Sequence, residues 1–166
     1  MGWKIIHDFP KLKKYVIIAA PHTSWQDFPI AIMAKSIKGA KVNYIGKASL
    51  FKPPFGFIFR WLGGAPVDRT KNTKLVDAII DIFNSRDEFV FGMSPEGTRK
   101  KVDTWKTGFY YIAKGANVPI VMATLDFKNK QIKISEPYSL TDDIDVDMNH
   151  FHSYFDGVVG KHPELT

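Results

Sequence analysis

Residues 15–27, YVIIAAPHTSWQD, decide how this chain folds. The run 15–20 is apolar without interruption and is closed by Pro21, the pattern of a strand buried on both faces. A polar stretch from His22 to Asp27 follows. Residues 28–37 then read as a helix, with Thr23 or Ser24 placed to cap its start and Gly39 just beyond its end. A strand that leads through a short polar loop into a helix is the opening half of a strand–helix–strand unit.

The rest of the chain repeats that alternation. Residues 42–46 and 65–67 read as short strands, and 55–62 is apolar with Arg60 inside it and Gly63-Gly64 as its stop. Leu75, Val76, Ile79, Ile80 and Phe83 recur at the three-and-four spacing of an amphipathic helix over 72–83. Residues 88–93 form a strand that runs into a polar loop, 94–101. A helix over 107–114 ends at Gly115, 118–125 is a strand, 131–134 alternates as a half-buried one, and a last helix covers 148–159. Strands alternating with helices predict an α/β fold: one domain over 1–166, with a central mostly parallel or mixed sheet flanked by helices. Ligands bind such sheets where loops leave the carboxyl ends of the strands, and His22 and Glu96 both sit in loops of that kind.

Composition narrows the chemistry. The 166 residues include no cysteine, which excludes a thiol nucleophile and Cys-based zinc sites. No apolar run approaches the roughly 18 residues of a membrane span, and the first residues, MGWKIIHDFPKLKK, lack the apolar core of a secretory signal. The expectation is a cytoplasmic protein. A net charge of +6 suits an anionic partner such as a membrane face, a phosphorylated substrate or nucleic acid. The lysines are scattered and no DNA- or RNA-binding motif is present, so nucleic acid is not expected.

Three segments carry reactive side chains. In 21–27 (PHTSWQD), a loop that turns back lets the Asp27 carboxylate meet one nitrogen of His22 and leaves the other as a general base. A capping Asp beside an unrelated loop His fits the same letters. In 94–100 (SPEGTRK), a carboxylate, a flexible Gly and two cations follow a buried strand, a composition suited to a phosphate or oxyanion and equally to a solvated turn. In 64–69 (GAPVDR), Arg69 could chelate a phosphate or simply pair with a neighbouring carboxylate. His150 and His152 stand two apart and diverge on a helix, and 143–154 lacks the Gly and Glu of a calcium loop, so no metal is expected.

Taken together and in order, these segments resemble the signature blocks of the phospholipid and glycerol acyltransferase family, whose bacterial members make phosphatidic acid from lysophosphatidic acid. PHTSWQD resembles the His-x-x-x-x-Asp block, GAPVDR the second, SPEGTR the third, and Val118-Pro119-Ile120-Val121 the fourth. The stretch from Lys47 through Pro54-Phe55-Gly56 fits between the first two. The resemblance covers roughly residues 14–140. In the second block Pro66 stands where the family usually has a bulky apolar residue. The family's N-terminal hydrophobic anchor has no counterpart before the first strand here, so peripheral attachment at the inner membrane face is the expectation.

The resemblance implies an O-acyltransferase. His22 and Asp27 are its catalytic pair, and Lys47, Arg69, Glu96, Gly97, Thr98 and Arg99 bind the substrate. No cofactor is implied beyond acyl-CoA or acyl carrier protein as acyl donor. The acceptor is a lysophospholipid, foremost 1-acyl-glycerol-3-phosphate. No covalent acyl-enzyme is needed, in keeping with the absence of Cys and of a Gly-x-Ser-x-Gly elbow. Residues 49–62 (SLFKPPFGFIFRWL) combine five aromatics with Lys52 and Arg60. They predict contact with an anionic membrane surface through Phe51, Phe57, Arg60 and Trp61. Two other readings fit the same residues: a lipid hydrolase using Ser94 or Ser24 with His22, and a non-catalytic lipid-binding module with an acyltransferase fold.

Overall fold

The computed structural model describes residues 2–67 and 72–166. Its elements run β1 (Lys4–Ile6), β2 (Lys14–Ala20), α1 (Asp27–Ile37), β3 (Val42–Lys47), α2 (Gly56–Trp61), β4 (Gly64–Val67), α3 (Asn72–Ser85), β5 (Phe89–Met93), α4 (Gly108–Ala116), β6 (Ile120–Thr124), β7 (Gln131–Lys133) and α5 (Ile144–Phe155). Five strands form one parallel sheet in the order β4-β3-β5-β2-β6. The apolar run read from the sequence is its inner strand β2, where Val16 and Ile18 are fully buried.

Alternation along β2 divides the core. Tyr15 and Ile17 pack with Ile30 and Ala34 of α1 on one face. Val16, Ile18 and Ala20 pack on the other face with Phe83 of α3, Phe109 and Ile112 of α4, and Phe151 and Phe155 of α5. A sheet buried by helices on both sides explains why its strands read as unbroken apolar runs.

Three local expectations are corrected. Helix α4 does not stop at Gly115 but runs to Ala116, and Asn117 ends it in the left-handed conformation (φ 52°). Helices α3 and α4 approach closely at Gly115: a Cβ there would lie 2.5 Å from Cδ1 of Ile80 on α3, and that side chain would have to move. Helix α5 starts at Ile144 rather than 148, because the Asp143 carboxylate accepts the free N–H groups of Asp145 and Val146. Strand β1, absent from the sequence reading, pairs in parallel with β7 as a separate two-stranded sheet. Three residues are too few to show a period.

Candidate active site

Strands β2 and β5 are neighbours, with Ile18 opposite Met93, so the loops leaving their carboxyl ends emerge side by side. That topology brings together residues 74 positions apart: the His22 backbone N–H donates to Glu96 Oε2 at 2.6 Å. The Ser94 hydroxyl donates to the same oxygen at 3.3 Å. Burial raises the Glu96 carboxyl above the usual glutamate range, and the His22 N–H and Ser94 hydroxyl only partly offset it.

The His22 side chain is partly exposed, and its Nδ1 lies 2.9 Å from Oδ2 of Asp27, whose own side chain is only 2% exposed. Asp27 is the first residue of α1, where the helix dipole favours a carboxylate. Its Oδ2 also accepts the Ser24 N–H at 2.8 Å, which folds 24–27 into a tight turn. The expected cap is corrected here. The N-cap position is Gln26, with no side-chain cap bond, and the Ser24 hydroxyl accepts the Gln26 N–H instead. The Thr23 hydroxyl accepts the His162 N–H at 3.2 Å. Among the described residues, nothing hydrogen-bonds to Nε2 of His22.

A cleft opens over these loops. His22, Asp27, Ser94, Gly97, Thr98 and Arg99 line its polar part, and Trp25, Phe28, Leu50 and Phe59 line an apolar wall beside it. Gly97 has φ +67°, which glycine alone adopts freely, and a Cβ there would strike the Lys106 side chain at 2.9 Å. Lys106 is a residue the sequence reading missed. Its N–H donates to the Pro95 carbonyl at 2.8 Å, closing loop 95–106 so that the ammonium lies over Gly97 on the cleft lining. Nine positions of loop separate Lys106 from Gly97, and no local pattern marks the return.

The predicted substrate-binding residues divide. Gly97, Thr98 and Arg99 line the cleft, with Arg99 exposed. The Glu96 carboxylate is taken up by the His22 N–H and the Ser94 hydroxyl. Lys47 ends β3 with its side chain outside the described residues, and Arg69 lies outside them altogether.

The predicted membrane-contact residues also divide. Phe57 and Trp61 are 68% and 83% exposed, Phe55 is 64% exposed, and Arg60 is exposed beside them. Phe51 is corrected: it is 3% exposed and packs edge-on against Phe59. Gly46 and Gly64 make room for its ring, since a Cβ on either would approach it to 3.1 or 2.9 Å. Arg60 instead sits over that ring at 5.7 Å.

Among the described residues, no three His, Asp or Glu side chains gather as metal ligands. His150 stacks on Tyr138 and His152 lies against Trp105. No helix among the described residues is long and apolar enough to cross a membrane.

The family model described as Acyltransferase matches residues 4–125, which hold all four sequence blocks. Over 110 residues the chain is 31% identical to the 1-acyl-sn-glycerol-3-phosphate acyltransferase of Escherichia coli (strain K12), a match covering 63% of this chain and 45% of that relative. The chain thus spans less than half of that relative's length. The crystal structure of the 1-acyl-sn-glycerophosphate (LPA) acyltransferase PlsC from Thermotoga maritima shares the fold, with a TM-score of 0.63 at 22% identity. That alignment covers 92% of this chain and 69% of the other.

Proposed function

This chain belongs to the acyltransferase family, and we propose that it moves a fatty acyl group from acyl-CoA or acyl carrier protein to the hydroxyl of a lysophospholipid, foremost 1-acyl-glycerol-3-phosphate. The observation that carries this reading is the pairing of His22 Nδ1 with the buried Asp27 carboxylate at 2.9 Å, on the wall of a cleft that is cationic on one side and apolar on the other.

Asp27 holds the Nδ1 side of the ring and leaves Nε2 to take the proton of the acceptor hydroxyl. The hydroxyl oxygen attacks the thioester carbonyl, the new C–O bond forms, and the C–S bond breaks. The thiolate leaves and takes up the proton from His22. Asp27 offsets the positive charge that the ring carries between those steps. A base positioned in this way contributes roughly 10²–10⁴-fold to such a transfer. Arg99, Thr98 and the Gly97 turn, with Lys106 above it, hold the phosphate of the acceptor, and Arg69 and Lys47 are proposed to assist. Bidentate or charge-assisted bonds to a phosphate are each worth about 1.5–3 kcal/mol. Glu96 fixes the backbone of His22.

Phe55, Phe57 and Trp61, with Arg60 and Lys52, make an exposed aromatic and cationic surface on the segment that also sends Leu50 and Phe59 into the cleft wall. That continuity supports an acceptor delivered from an anionic membrane surface through peripheral contact. The hydrolase reading finds no support in the hydroxyls: Ser24 is engaged with Gln26 and Ser94 with Glu96, and neither hydrogen-bonds to His22. Incubation of the protein with acyl-CoA and a panel of lysolipids, followed by lipid mass spectrometry, tests the proposal. The expected product is the diacyl lipid with loss of the thioester; release of free fatty acid in its place would point to hydrolysis.

A further inference from the structure

Three consecutive residues of the loop carrying His22 are pinned by three separate parts of the chain. The His22 N–H is held by Glu96, and the Ser24 N–H by Asp27. Between them, the Thr23 side chain, 4% exposed, is held by residues 160–162, which lie beyond the region matched by the family model.

The third contact is close. The His162 N–H donates to Thr23 Oγ1 at 3.2 Å across 139 positions of sequence. Gly160 is buried against the same side chain, and a Cβ added to it would stand 2.5 Å from Thr23 Oγ1 and 2.8 Å from Thr23 Cγ2. Gly160 does not have the positive φ that would call for glycine, so space alone excludes a side chain there. The segment is fastened on both sides of this contact: the Phe127 N–H donates to the Val159 carbonyl at 2.9 Å, and the Gly160 N–H donates to Thr166 Oγ1 at 3.1 Å. Thr23 is short and enclosed, so a push on it passes into the backbone of the adjoining His22.

From this packing we infer that residues 160–162 position the catalytic histidine: Gly160 and Thr23 are positioning residues whose fit sets where the His22 ring stands relative to Asp27. This inference rests on the acyl-transfer reading for its kinetic consequence, while its structural consequence can be read without turnover.

The test compares the wild-type chain with Gly160→Ala, Thr23→Val, Thr23→Ser and the double variant Gly160→Ala/Thr23→Ala. It uses acyl-CoA and 1-acyl-glycerol-3-phosphate for kinetics and the imidazole ¹H–¹⁵N spectrum, assigned with His22→Ala, for the ring. Gly160→Ala should lower kcat about tenfold or more, since sub-ångström to ångström misplacement of a reacting group is costly. KM should stay within about twofold, because the substrate-binding groups are untouched. The His22 ring signals should shift. Adding Thr23→Ala removes the two atoms nearest the new methyl and leaves Thr166 Oγ1 at 3.1 Å, so the double variant should recover part of the lost kcat and the original ring signals, which a general loss of stability would not do. If Gly160→Ala fails to fold, the hydroxyl pair decides: Thr23→Ser, which keeps the acceptor for His162, should retain more kcat than Thr23→Val.

A folded Gly160→Ala protein with wild-type kcat and unmoved His22 signals would overturn the inference, as would a double variant no better than the single one. Wild-type protein that transfers no acyl group defeats the acyl-transfer reading instead, and the ring spectra still decide whether 160–162 place His22.

Discussion

Glu96 offers the sharpest separation between two roles, a ligand for substrate and a brace for the His22 loop. In Glu96→Gln the amide oxygen still accepts the His22 N–H, which lies 2.6 Å from the carboxylate oxygen. In Glu96→Ala that N–H loses its partner in a partly buried loop. An unpaired buried donor costs about 1–3 kcal/mol, and partial exposure puts this one near 1–2 kcal/mol. For a chain of this size that is a fall in Tm of roughly 2–8 °C. The sign with pH follows from burial, which raises the Glu96 carboxyl above 4.5. The folded protein holds that proton more tightly than the unfolded chain. The stability this contributes is fully present below the unfolded value of 4.5 and is lost as pH rises through the raised folded value. Urea unfolding across that window should therefore show wild type losing stability relative to Glu96→Gln as pH rises, with the difference levelling off above it. Kinetically, Glu96→Ala should lower kcat about tenfold or more with little change in KM, and Glu96→Gln should lie near wild type. A Glu96→Gln protein with a greatly raised acceptor KM and normal kcat would refute the brace and make Glu96 a direct ligand of the acceptor.

Other outcomes follow from the same geometry. Arg99→Ala should raise the KM for a phosphorylated acceptor about tenfold or more and leave that for the acyl thioester nearly unchanged, with Lys106→Ala acting in the same direction; steady-state kinetics with each substrate varied checks this. Phe57→Ser with Trp61→Ser should weaken co-sedimentation with anionic vesicles at every salt concentration, while wild-type binding falls without vanishing as salt is raised. Both side chains are largely exposed, so thermal melting should show a stability change of no more than about 0.5 kcal/mol for each. Asp147 is fully buried and accepts the Tyr138 hydroxyl at 2.8 Å and the Thr141 N–H at 3.1 Å, so Asp147→Ala should cost about 2–4 kcal/mol in denaturant unfolding. Burial pulls the Asp147 carboxyl up, but the Thr141 and Tyr138 donors outweigh it and hold it below 3.8. Its contribution is therefore present above 3.8 and lost as pH falls through the depressed folded value.

Much of this architecture is legible in the sequence because burial on both faces leaves strands such as β2 and β5 with no polar interruption. The loops after them were readable for the same reason: each begins where an apolar run ends. What escaped the sequence was set by contacts between distant segments. Phe51 looks like the other aromatics of 49–62, and only the two glycines facing it, at 46 and 64, make it a core residue. Gly115 resembles a helix stop, yet it serves the crossing of α3 and α4 at Ile80. Lys106 reaches the site through its backbone bond to Pro95, and the 160–162 segment through the His162 N–H on the Thr23 hydroxyl and the packing of Gly160, contacts for which no spacing rule exists. The start of α5 is ambiguous in the sequence because four aspartates, at 142, 143, 145 and 147, compete as caps, and the structure selects Asp143.

The central claim, that His22 paired with Asp27 transfers an acyl group, is tested most directly by one comparison. Wild type and His22→Ala, each verified as folded by circular dichroism, are incubated with acyl-CoA and 1-acyl-glycerol-3-phosphate, and the diacyl product is counted by mass spectrometry. Wild type should form that product, and His22→Ala should fall by about 10²–10⁴-fold, the contribution of a positioned general base. A folded His22→Ala protein that turns over at near the wild-type rate would contradict it.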